Sequence, residues 1–90
     1  MEENMDKSKI VFSKVKEMIV QELNVKPEMV SLNACLQDDF GADSLDALEL
    51  FNELESEFLI TIDDETAMNL KDVQSLVNFI VDSVSDDYFE

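Results

Sequence analysis

The stretch DDFGADSLDALELFNELESEF, residues 38–58, decides how this chain folds, because it joins a helix start to an unbroken amphipathic run. Counting about 100° per residue from Leu45, the side chains of Leu50, Leu54, Ala47, Phe58, Phe51 and Leu48 share one broad arc. Asp46, Glu49, Glu53 and Glu57 share another. Leu45 falls off the apolar arc, next to Ser44. At the start of the run, Asp43 suits the N-cap and Asp46 can reach back to complete a capping box, which leaves Ser44 at the first helical position. The same tetrapeptide also fits Ser44 as the cap itself, and the residues alone leave both arrangements open.

Outward from this segment, two more amphipathic runs appear. Over roughly residues 5–23, Val11, Val15 and Met18 form one line, with Phe12, Ile19 and Leu23 beside it. Over roughly 73–84, Val73, Leu76, Val77, Ile80 and Val84 recur at helical spacing behind Asp72, a suitable cap. Between the second and third runs, ITIDDETAMNL has room for one short helical turn starting near Asp63 or Asp64. The connection 24–43 contains the only proline, Pro27, and the only glycine, Gly41. It is long for a loop, and Val25, Val30, Leu32 and Leu36 point to a segment wrapped on the core. The tail SDDYFE is expected to fray. No alternation supports a sheet. The expected fold is all-α: a small four-helix bundle of three longer helices and one short third helix, with a long first loop. It occupies residues 1–90 as a single domain, with an ordered core about residues 5–84.

Charge narrows the function. Six Lys+Arg against 22 Asp+Glu give a net charge of −16, which repels polyanions, so neither nucleic acid nor anionic lipid is an expected partner. Basic protein surfaces are, with divalent cations held diffusely as a second class. Four of the six lysines (Lys7, Lys9, Lys14 and Lys16) lie in the first helical run, away from Ser44. The lone cysteine, Cys35, allows no intrachain disulfide and is expected to be a small buried hydrophobe. The opening MEENMDKSKI is neither an apolar signal nor an Arg-rich transit sequence. No run approaches the roughly 20 apolar residues of a membrane span. A cytoplasmic, monomeric protein with no membrane insertion is expected.

Ser44 is poorly placed to be a nucleophile. The chain has no histidine to act as its base, and carboxylates would need strongly raised pKa values to replace one. The nucleophile-elbow pattern fails too, because Asp46 stands where its second glycine belongs. A calcium loop placing Gly41 at its sixth position would take Leu36 as first ligand, which has no side-chain oxygen. No specific metal site is expected.

DDFGADSLDALEL resembles the D-x-L-G-A-D-S-L-D-x-x-E-L signature of acyl carrier proteins, with Phe40 for the usual leucine. The similarity continues through LESEF and ITIDDE, and NVKPEMV resembles the family's first loop. The resemblance implies a carrier rather than an enzyme. Ser44 then matches the attachment point of 4′-phosphopantetheine, supplied from coenzyme A by a separate phosphopantetheinyl transferase, with Gly41, Asp43 and Leu45 forming the modification motif. Cargo would ride as a thioester to enzymes of fatty acid or polyketide synthesis that carry basic docking surfaces. The face argument gives Asp43, Asp46, Glu49, Glu53 and Glu57 as docking residues, and the resemblance adds Leu45, Leu48, Glu55 and Ile62. It also implies that Leu54, Phe58, Ile62, Met68 and Leu76 line an acyl cavity, although each of these also fits as plain core filling. Two positions depart from the family pattern: Asn52 replaces an apolar residue, and Asp63 replaces a common proline. Alternative readings are a carrier of amino-acid cargo, against which GADSL argues, and a non-carrier module that recruits partners through its acidic helix.

Overall fold

The computed structural model describes residues 2–85 and residue 88, with side chains from residue 7 onward. Four α-helices appear: α1 (Glu2–Leu23), α2 (Ser44–Phe58), α3 (Asp64–Asn69) and α4 (Val73–Ser83). A 3-10 turn, Pro27–Met29, interrupts the first loop. The described residues contain no strand, only an isolated antiparallel bridge between Cys35 and Asp72.

The helices form where the apolar spacing put them, and α1 packs against both α2 and α4. Val11, Val15 and Ile19 repeat every four residues on α1 and are fully buried. They meet Leu50, Phe51, Leu54 and Phe58 of α2, and Val73, Leu76, Val77 and Ile80 of α4. Met18, expected on the central line of α1, is half-buried beside it. Burial of such side chains contributes about 1.5–3 kcal/mol each, which sets the geometry of everything attached to them.

Leu48 departs from the expected arc, being 50% exposed. It lies about 105° around the helix from the midline of the four buried residues, at about 100° per residue. That puts it nearer Leu45 than the core. A wheel drawn from Leu45 ranks angles but cannot say how wide a face the neighbouring helices cover.

The long first loop does wrap the core, through Val30, Ala34 and Leu36, all buried, with Val25 half-buried beside them. Backbone hydrogen bonds tie it to the α3–α4 connection: Leu36 N–H to Lys71 O at 3.0 Å, Val73 N–H to Ala34 O at 3.0 Å, and Gln74 N–H to Leu32 O at 3.0 Å. These satisfy loop groups that would otherwise lack partners. Leu32 contributes its carbonyl but not its side chain, which is 41% exposed, contrary to expectation. Cys35 is half-buried rather than buried. Its backbone is pinned by the bridge, while partial desolvation and then the nearby Asp39, Asp38 and Asp72 push its thiol pKa up. The thiolate is disfavoured there.

Candidate functional site

Ser44 opens α2, and the segment before it explains how. Ala42 is buried, and its N–H donates to Leu36 O at 3.1 Å, while Gly41 N–H donates to Gln37 O at 3.0 Å. Gly41 has φ +68°, and a Cβ there would meet nothing within 4 Å. The glycine therefore supplies a left-handed backbone rather than clearance. The turn delivers the chain to Asp43 in an extended conformation, and the helix begins.

Asp43 is the N-cap. Its Oδ1 accepts from Asp46 N–H at 2.9 Å, and Asp46 Oδ2 accepts from Asp43 N–H at 3.5 Å. This is the capping box, and it decides the question the residues left open: Asp43 caps and Ser44 does not. Ser44 is exposed, at the first helical position, and the cap makes no demand on its hydroxyl. Leu45, 71% exposed, stands beside it.

The acidic row divides. Asp43, Glu49 and Glu53 are exposed. Asp46 is half-buried in the capping box. Glu55 turns toward the α2–α3 loop, where its Oε2 accepts from Ile62 N–H at 2.6 Å. Glu57 is half-buried; its Oε2 accepts from the Tyr88 hydroxyl at 3.0 Å and lies 3.8 Å from Lys14 Nζ. Ile62 is itself 9% exposed and belongs to the core edge. Glu55 and Glu57 thus hold structure together, which sequence position could not reveal, because their partners lie outside the helix.

Of the cavity residues, Leu54, Phe58, Ile62 and Leu76 are buried together in the core, while Met68 does not join them and is 74% exposed on α3. Asp63 caps α3, its Oδ1 accepting from Thr66 N–H at 2.8 Å. Asn52 is exposed. Among the described residues, no group of three or more His, Cys, Asp or Glu is arranged to hold a metal ion. No helix among them is long and apolar enough to cross a membrane.

Two residues escaped sequence reading. Leu59 ends α2 in the left-handed region and is 87% exposed; the run EFLI reads as continuous core, so nothing local marked it. Tyr88 packs its ring on Phe58, centroids 5.0 Å apart, although the tail was expected to fray. The rest of that tail, Asp86, Asp87, Phe89 and Glu90, lies outside the described residues.

Comparison with known proteins adds a family. A family model described as a phosphopantetheine attachment site matches residues 13–80. An acyl carrier protein of Aster yellows witches'-broom phytoplasma is 40% identical over 76 residues, covering 84% of this chain and 100% of that protein. One from Bdellovibrio bacteriovorus is 44% identical over 70 residues, covering 78% and 90%. One from Petrotoga mobilis is 42% identical over 77 residues, covering 86% and 91%.

Proposed function

The chain belongs to the acyl carrier protein family, whose members are carriers and not catalysts, and from that premise we propose that Ser44 is the residue that receives 4′-phosphopantetheine. The observation that carries the assignment is the Asp43–Asp46 capping box. It completes the helix start without the serine, so the hydroxyl is available and a phosphodiester on it would displace no hydrogen bond of the cap. Open space at Gly41 and exposure of Leu45 leave room for an enzyme to reach it. When attached, the arm supplies a terminal thiol for thioester chemistry. The protein's part is display.

The cargo is an acyl intermediate of fatty acid or polyketide synthesis, and the setting is the cytoplasm. The arm is installed by a separate phosphopantetheinyl transferase drawing on coenzyme A. A tether converts each encounter between cargo and docked enzyme into an intramolecular event. Brief docking suits a carrier that serves several enzymes, and charge complementarity speeds encounter more than it tightens binding. Asp43, Glu49 and Glu53 offer the exposed charge for basic partners, and Leu45 and Leu48 an apolar edge alongside. Glu55, Glu57 and Ile62 contribute by holding the end of this surface in shape.

The test is loading. Chain bearing the arm, supplied with an acyl donor and its transferase, acquires acyl cargo that hydroxylamine releases. Ser44→Ala acquires none. Cargo on the Ser44→Ala chain, or loading with aminoacyl donors alone, would overturn the assignment.

A further inference from the structure

Past Ser44, the exposed residues of α2 are Leu45, Leu48, Glu49, Asn52, Glu53 and Ser56. At about 100° per residue, Leu45, Leu48 and Asn52 fall within about 60° of one another, while Glu49 and Glu53 lie on the other side of Leu45. Leu45 is 71% exposed and Leu48 50%. Asn52 stands two turns, about 10 Å, beyond Leu45. It therefore continues the apolar line with a carboxamide. No described residue uses that group: the Asn52 side chain forms no hydrogen bond with any of them, whereas Asn69 Nδ2 on α3 donates to Glu65 O at 3.3 Å. Asparagine is also one of the weaker helix formers, and here it sits in the middle of a 15-residue helix. The helix gains nothing from it, and its oxygen and NH2 group are left to solvent.

We propose that Asn52 is a specificity-determining residue of the docking face, selecting basic protein partners that place a paired donor and acceptor opposite it over those that place an apolar wall there. The proposal rests on reading α2 as the face on which partners seat. A partner that covers both Leu45 and Leu48 along this line covers Asn52 as well. Glu49 and Glu53 flank the line, so the occupant is a basic surface with Lys or Arg set beside its apolar seat. Covering the carboxamide strips water from an acceptor and a donor together. Against an apolar wall both stay unpaired, and that cost falls on binding. Against a peptide edge, or an Asn or Gln side chain, both are replaced at once. The leucines give grip to any partner with an apolar seat, and the carboxamide discriminates among such partners.

The test compares two phosphopantetheinyl transferases on the full chain: the one encoded in the same genome, and a promiscuous one that modifies many carriers. Leucine branches as asparagine does but carries neither donor nor acceptor. Asn52→Leu should therefore lower the ratio of kcat/KM for the native enzyme to that for the promiscuous one by roughly tenfold, chiefly through the native KM. Asn52→Gln keeps the donor and the acceptor and should recover part of the loss. The loss should persist at high salt, where the contribution of Glu49 and Glu53 is screened. Circular dichroism should show the same helix content in both variants, because residue 52 is exposed. An unchanged or raised ratio in Asn52→Leu, or a loss that Asn52→Gln does not relieve, would overturn the role of Asn52 while leaving the carrier reading intact. A wild-type chain that neither enzyme modifies would instead overturn the carrier reading, and this proposal with it.

Discussion

Leu59 closes α2 with φ 57° and ψ 50°, a backbone state in which a Cβ crowds the following carbonyl. Its side chain is 87% exposed, so removing it sacrifices little burial. Leu59→Gly should therefore stabilise the protein by about 0.5–1 kcal/mol, the relief of the left-handed strain less the added freedom of the unfolded chain. For a domain of this size that corresponds to a rise of about 4 °C in melting temperature, measurable by calorimetry. A lower melting temperature would mean that Leu59 makes contacts the exposed geometry does not provide. Ser44 shows the opposite economy of design at the residue scale: its neighbours do the structural work, and its hydroxyl does none of the capping.

Three helices start with the same device at the element scale. Asp43, Asp63 and Asp72 each accept from the backbone N–H three residues on, and each sits where a caps-and-periodicity reading of the chain places a boundary. Asp72→Ala should cost about 1 kcal/mol. Hydrogen bonds from Ser75 hold the Asp72 carboxyl below its usual pKa, and the Thr66 N–H does the same for Asp63. Because the folded values are depressed, these caps stabilise the fold above the ordinary carboxylate pKa of about 4, and the contribution is lost as pH falls through the folded values. Asp63→Asn/Asp72→Asn should flatten that part of the acid unfolding profile while keeping both caps. An unchanged profile would assign acid loss to other carboxylates. Cap chemistry and apolar spacing are local, and for that reason α2, α3 and α4 were legible in the sequence, whereas the choice between Asp43 and Ser44 as the cap of α2 was settled only by the capping box. Leu48, Leu32, Glu55 and Glu57 were not legible, because their exposure or engagement is set by segments far along the chain; Tyr88 meets Glu57 across 31 positions. An angle on a helix says which residues share a face, and only packing says what covers it.

Across the whole molecule the positive charge is unevenly placed, with four of the six lysines on α1 and the exposed acids Glu49 and Glu53 on α2 after Ser44. Reversing Glu49 and Glu53 to lysine should slow modification by a phosphopantetheinyl transferase by roughly tenfold at low salt and weaken its salt dependence, with the fold retained. Equal rates would make the acidic row a solvated face and nothing more. Leu54, Phe58, Ile62 and Leu76 are packed together in the core, so a cargo chain sheltered among them would have to part them. Each methylene admitted contributes about 0.8 kcal/mol at best against the cost of parting packed side chains. Each of these scales returns to a displayed hydroxyl that chemistry done elsewhere can reach. Intact-mass measurement after coexpression with a promiscuous phosphopantetheinyl transferase tests it most directly: the chain should gain the mass of one phosphopantetheine arm and Ser44→Ala none, whereas an unmodified wild type, or an arm retained in Ser44→Ala, would contradict the account.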